Sequence, residues 1–445
     1  MSAIKAIFQE YKTYFTSLIS LSLPIIAGNL GHILIGTVDV IIAAYHSTFT
    51  LAGISLATAI FMTFLIGAIG LTSSISPVIS NLRGAKKPTK KLLLSTIVYS
   101  QIVSLFFFIL LSIVTFLIPK IGLAEGIAPY VITYLKITNF SIFGGILFNA
   151  LKEFLQAYEI VVFPNALSII AIFLNLILCI IFVFGGLGIP SLGIAGLAYA
   201  ALIVRSLIGI ILLIYCLPLI KFSTRKYNHY IKDLLKVGLP MSFALFFEFL
   251  GFNTTAVLLG TFSALLAATH NVIITITGMI YMIPLAISNA ISIKVGFSNG
   301  EKNITNVKRY TIAGIILILG YMTTMIILCS VFPSQILGLF TPDKTIVTTA
   351  IPVISIVCCF LLFDGLQCAS AGALKGLKET KAIMLTMCLS YLVLGIPIGC
   401  ILAFKFNIVL TGFWLGLAIA LFAAGMVATG ILIYKIKKLQ YKYDF

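Results

Sequence analysis

Twelve apolar runs, each about long enough to cross a bilayer, dominate this chain and leave few other folds open to it. They fall at 14–38, 50–79, 92–118, 129–151, 161–184, 193–219, 237–260, 266–293, 310–332, 346–373, 382–404 and 410–434, cut by loops rich in Gly, Pro, Lys or Asn. A transmembrane helix needs about 20 consecutive apolar residues, and each run supplies them. Composition closes the soluble alternative: 61% of the 445 residues are hydrophobic and only 9% are charged. Soluble domains are about one quarter charged, so too few charges remain here to coat a water-facing surface. The runs 50–79 and 266–293 are long enough to be read as two spans each. Neither shows an evident polar break, so each is expected to form one long tilted helix. The sequence predicts an all-α membrane protein of twelve transmembrane helices.

The distribution of basic residues tests that count. A net charge of +17 would suggest nucleic acid as the partner of a soluble protein. In so apolar a chain it reads instead as cytoplasmic loop charge, since short cytoplasmic loops carry the excess of Lys and Arg. Of 29 Lys and Arg, 24 lie in the loops on the side of the N-terminus. The opposite loops hold only Lys120, Lys344 and Lys405, and Lys136 and Arg205 lie inside spans. A missed or extra span would scramble this asymmetry. The expectation is a multi-pass protein of the cell (inner) membrane, both termini cytoplasmic, with the lipid bilayer and no nucleic acid as its surroundings. No small-residue cleavage site precedes the first run, which is read as a retained span, not a signal peptide.

The chain also repeats itself at an offset of 216. Leu23-Pro24 falls on Leu239-Pro240, Ala52 on Ala268, Ile75 on Ile291, Gly84 on Gly300, Lys86 on Lys302 and Thr89 on Thr305. Each half holds six spans, an even number, so both halves enter the membrane in the same sense. The repeat is therefore parallel, with its axis along the membrane normal and a cavity expected between halves. This divides the chain into lobes at 1–219 and 237–445, joined by a polar cytoplasmic linker at 220–236. Pro24 and Pro240 are expected in the first turns of matching helices, where proline is tolerated. Pro284, deep in the eighth span, is expected to kink it.

Such duplication points to a secondary transporter and away from an enzyme. No Walker A sequence is present, which leaves an ion gradient, Na+ or H+, as the energy source. The eight cysteines all lie in apolar stretches without ligand spacing, so no metal cofactor is expected and none of any other kind. Three acids lie inside spans: Asp39 late in the first, Glu248 in the middle of the seventh and Asp364 deep in the tenth. A charge at the centre of a membrane helix costs about 2.5–3.5 kcal/mol even on the lenient insertion scale. Such residues face a cavity or a partner. They are read as the cation-coupling groups, the alternative being interhelical hydrogen bonds from protonated acids. A Na+ at Glu248 and Asp364 is the one metal considered. Two carboxylates in one poorly solvated pocket cannot both hold their charge cheaply, so a proton and a metal ion would compete there.

Other polar groups are weaker candidates. Arg205 lies mid-span and could pair with an acid or an anionic ligand. His32 and His270 read as packing histidines, and Asn175, Thr255 and Thr275 as interhelical hydrogen-bonding groups. Phe106–Phe108 and Phe246–Phe247 are expected against lipid or in the core, while aromatics facing a cavity would suit cationic ligands.

Five segments carry a likeness beyond this. VDVIIAAYHS follows the first span, SPVISNLRGAKK the second, and GLPMSFALFFE opens the seventh. HNVIITITGMIYMIPLAISNAISIKVG forms the eighth, and DGLQCASAGALKGLKETKAIM runs from the tenth into the eleventh. In this order the chain resembles the multidrug and toxic compound extrusion (MATE) family, in its NorM-like branch, over nearly its whole length. The resemblance implies a two-lobed exporter, acting as a monomer, that exchanges Na+ or H+ for small organic cations. It places Glu248 and Asp364 in a C-lobe cation site, with Asp39 and Asn175 in the N-lobe. Some positions depart from the pattern: Cys179 stands where a second Asn is expected, Ala200 and Ala201 replace polar residues, and Phe360 lacks an aromatic hydroxyl. A lipid-linked oligosaccharide flippase, from a related superfamily branch, is the alternative. It would want a basic cavity, and Arg205 is the only deep base.

Overall fold

The computed structural model describes residues 2–120, 126–186, 188–219 and 228–444. Backbone polar groups inside a bilayer must bond within their own segment, which makes helices the default for apolar runs like these. Among the described residues, eleven helices are long and apolar enough to cross a membrane. They are Glu10–His46, Thr48–Gly84, Leu93–Lys120, Val162–Phe184, Ile194–Cys216, Tyr230–Phe262, Ala264–Gly300, Ile304–Val331, Lys344–Gly376, Thr380–Lys405 and Val409–Lys442. The remaining crossing is a pair, Ile127–Thr138 and Ser141–Gln156, whose halves meet at 48°. Counting the pair as the fourth span gives twelve, each on one of the runs read from the sequence. Their outer faces are apolar: in the third span Ile102, Phe106, Ile109, Ile113 and Phe116 are exposed while Phe107 and Leu111 are buried.

Hydroxyl-rich segments explain where the helices depart from single rods. In the second span the helix stops at Thr72 and resumes at Ile75. There Thr72, Ser73 and Ser74 all turn their hydroxyls onto carbonyls three or four residues back. This break was not apparent in the run 50–79. At the bend of the fourth span, Asn139 sends its amide to the third span, 3.1 Å from the Phe108 carbonyl and 2.8 Å from the Ser112 hydroxyl.

Proline placement corrects one expectation. Pro24 lies well inside the helix Ser2–His46 and Pro240 inside Asn228–Phe262. Neither opens its helix, because each helix begins far upstream in polar sequence. Pro284 lies inside Ala264–Gly300, which continues through it as one helix. A proline deprives the carbonyl four residues back of its partner; here that is Ile280, and the Tyr321 hydroxyl donates to it at 3.3 Å.

The repeat is written in the backbone. Ser47 and Ser263, 216 apart, are both extended N-caps whose side chains accept from Thr50 N and Leu265 N. Lys86 and Lys302, also 216 apart, end the second and eighth spans with φ of 56° and 60°. Further on, Glu159 pairs with Lys378 and Gly188 with Asn407 in having positive φ, now at an offset of 219. The second half has therefore gained three residues between these points, and the constant offset holds only for the earlier part.

The ends of the second and eighth spans cross at a glycine pair. A methyl group at Gly84 would collide with the Phe297 carbonyl, and one at Gly300 with the Asn81 carbonyl. Residues 81 and 297 are themselves related by 216, so the crossing obeys the repeat. Side chains fasten it: Asn299 donates to Asn81 Oδ1 at 2.8 Å, and Asn81 donates to the Gly376 carbonyl at 2.8 Å.

Packing divides the chain into two compact units, neither continuous in sequence. The C unit comprises Met1–Leu23, Ser80–Lys86 and Phe243–Phe445, and the N unit Pro24–Ile79 and Lys87–Ser242. These bounds differ from the sequence halves 1–219 and 237–445. Of the expected linker, residues 220–227 lie outside the described residues, and from Asn228 onward it is helical. Within the C unit, the start of the first span is held to the ninth. The Tyr14 hydroxyl donates to Asn306 at 2.9 Å, its ring meets Tyr310 at 4.8 Å, and Glu10 pairs with Arg309.

Candidate functional site

In the N unit, the fifth span sets two donors on one face. Asn175 and Cys179 are four residues apart, one helical turn, and both reach the buried Asp39. Asn175 Nδ2 donates to Asp39 Oδ1 at 2.7 Å, and the Cys179 thiol donates to the same oxygen at 3.4 Å. Asp39 also feels the positive charge of Arg205 from the sixth span. The guanidinium is held by Ser141, to which it donates at 3.0 Å, and by the Phe61 ring, 4.6 Å away. The N-unit acid therefore has two hydrogen-bond donors and a tethered cation.

In the C unit, the seventh and tenth spans bring Glu248 and Asp364 within electrostatic reach of one another. Asp364 is 5% exposed and Glu248 half-buried. Among the described residues no hydrogen bond or ion pair satisfies either carboxylate. Their surroundings are aromatic: Phe252, one turn beyond Glu248, meets Phe360 at 6.1 Å and Tyr391 at 5.6 Å. Phe360 is buried against Trp414, which in turn contacts His270 at 5.6 Å.

The other candidates separate. Thr275 is exposed, and its hydroxyl donates to the Asn271 carbonyl of its own helix at 2.8 Å. Among the described residues no hydrogen bond joins it to either acid. His270 is buried with its Nδ1 unpartnered among the described residues, and the side chain of His32 lies outside them. Sequence reading passed over Tyr281 and Tyr391, both within electrostatic reach of the two C-unit acids. A tyrosine in an apolar span is too ordinary to stand out, and only its neighbours give it weight. Ser141 and Phe61 were missed for the same reason.

A twelve-span helical bundle with acids sunk into its spans is the architecture of a membrane transporter. The model of the family described as MatE matches residues 24–181 and 240–401, most of the chain and both halves of the repeat. The chain belongs to the MatE family. Multidrug resistance protein NorM of Vibrio cholerae is 28% identical over 444 residues, covering 94% of this chain and 95% of its own. The probable multidrug resistance protein NorM of Mannheimia succiniciproducens is 29% identical over 462 residues, covering 98% and 96%. Among solved structures, the outward-facing conformation of a multidrug resistance MATE family transporter of the MOP superfamily matches with a TM-score of 0.87 and 20% identity over 96% of each chain. The eukaryotic MATE transporter AtDTX14 matches with a TM-score of 0.86 and 18% identity over 97% of this chain and 99% of its own. At such identities these structures speak for the fold alone.

Proposed function

We propose that this chain is a cation-coupled multidrug exporter, exchanging Na+ or H+ for small organic cations by alternating access. One observation carries the reading. Glu248 and Asp364 are two neighbouring acids in membrane spans with no hydrogen bond or ion pair among the described residues. A carboxylate so placed either takes a proton or attracts a cation, because an isolated buried charge is expensive. A coupling ion and an organic cation would then compete for the same negative charge, and each would displace the other. Aromatic rings beside the acids suit an organic cation, since ring faces attract positive charge. Asp39 is the third cation-coupling acid, in the N unit, with Asn175 and Arg205 near it.

The six-span halves, 1–219 and 237–445, are the two lobes of this exporter, and 220–236 joins them on the cytoplasmic side, where both termini lie. It works as a monomer in the cell (inner) membrane, with no cofactor and no catalysis. The test is efflux of a fluorescent organic cation from vesicles, with Na+ and pH gradients imposed separately. Efflux driven by one or both gradients, and lost in Glu248→Gln and Asp364→Asn, is expected. Undiminished gradient-driven efflux in both variants would overturn the assignment.

A further inference from the structure

The eleventh span is where the C unit departs most from regular helix. Residues Cys388–Gly395 form a π-helical segment, in which the Ile396 N–H reaches back five residues to the Tyr391 carbonyl. A π-turn inserts an extra residue and re-aims the side chains around it, and such turns gather at functional sites. The side chain re-aimed here is Tyr391, fully buried, whose hydroxyl has no partner among the described residues. Burying a hydroxyl without a partner is costly, so an orphan of this kind marks a place where something else binds.

The ring's position says what. Gly251 and Phe252 lie one turn beyond Glu248 on the seventh span, on its own face of the helix. Gly251 lets Tyr391 approach so closely that a methyl group there would stand 2.7 Å from the ring's Cδ1. The Phe252 ring fixes it from the other position, 5.6 Å away. Tyr391 lies within electrostatic reach of both Glu248 and Asp364. A second orphan lies one turn beyond Asp364: the buried Gln367 gives its amide N–H to Met387, while its Oε1 has no partner among the described residues.

We propose that Tyr391 is the neutral third group of the acid site, its hydroxyl oxygen, without a partner among the described residues, offering a lone pair to the cation that the two carboxylates take up. A phenol does this by turning its O–H bond aside, with no change of charge. This rests on the reading of Glu248 and Asp364 as the cation-coupling pair. The π-segment is then the device that holds the hydroxyl at the acids, and Gly251 the gap that admits its ring.

The experiment uses the full chain in proteoliposomes, with ethidium efflux driven by Na+ or by H+, each varied separately. Tyr391→Phe keeps the ring and removes only the hydroxyl. The half-saturating concentration of the driving cation should rise about tenfold, the range of a lost hydrogen bond to a charged group, with the maximal rate retained. Gly251→Ala, which pushes the ring away, should shift the same quantity in the same direction, and the double variant should shift it no further. An unchanged half-saturating concentration in Tyr391→Phe, or a lower maximal rate alone, would overturn the proposal. The acid reading fails separately: it falls if Glu248→Gln and Asp364→Asn keep gradient-driven efflux, whatever Tyr391→Phe does.

Discussion

Asp39 in the N unit and the Glu248–Asp364 pair in the C unit are buried acids on repeated halves of one fold, in opposite circumstances. Asp39 accepts from Asn175 and Cys179 and feels Arg205, a cation tethered by Ser141 and Phe61. The C-unit carboxylates lie within electrostatic reach of one another, without a hydrogen bond or ion pair among the described residues. Protein groups lie close to the N-unit acid, whereas among the described residues the C-unit pair has no hydrogen bond or ion pair. The two halves share one frame, with an arginine near the acid of the N unit and two acids near one another in the C unit.

That contrast breaks most sharply at the C-unit pair. Glu248→Gln or Asp364→Asn should remove gradient-driven efflux altogether while membrane insertion and detergent-solubilised monodispersity persist, because a neutral amide relieves the burial cost. Asp39→Asn should lower the efflux rate without abolishing it. If the order were reversed, with Asp39→Asn silent to gradients and the C-unit variants active, coupling would belong to the N unit.

A smaller effect is expected from the tethered cation. Arg205→Met strands Asp39 without its positive neighbour and should lower thermal stability, as should Asp39→Asn. In a double-mutant cycle the two losses should fall short of adding by about 0.5–3 kcal/mol, the range for residues that interact. Strict additivity in thermal melts would mean that Arg205 serves Ser141 and Phe61 alone. Next come the paired caps: Ser47→Ala and Ser263→Ala should each cost about 1 kcal/mol in unfolding experiments, one in each half. Unequal losses would show that the halves tolerate fraying differently. The smallest effect belongs to Thr275→Ala, which should leave efflux kinetics unchanged because that hydroxyl is spent on its own helix.

The spans and the three acids were legible because both rest on bulk physics, the length of apolar sequence and the expense of charge within it. The breaks were less so. Thr72-Ser73-Ser74 is polar only by its hydroxyls, which a helix can absorb or be interrupted by according to what packs beside them. The prolines misled because Leu23-Pro24 and Leu239-Pro240 match across the repeat like helix starts, while the helices begin earlier, at Ser2 and Asn228, in polar residues that obey no hydropathy rule. Tyr391 was invisible for a different reason. Its weight comes from Gly251 on another span and from a π-turn that no local residue pattern announces.

The glycine crossing carries a consequence for genetics. Where a new side chain meets another side chain, a second mutation can trim the neighbour and restore the fit. At Gly84 and Gly300 the obstacles are the carbonyls of Phe297 and Asn81, and no codon change removes a carbonyl. A selection for revertants of Gly84→Ala should therefore return glycine at 84 or substitutions that shift a whole helix. Trimmed residues at position 297 should not appear among them. Two positions in the two halves of one gene are thereby bound to glycine by each other's main chain.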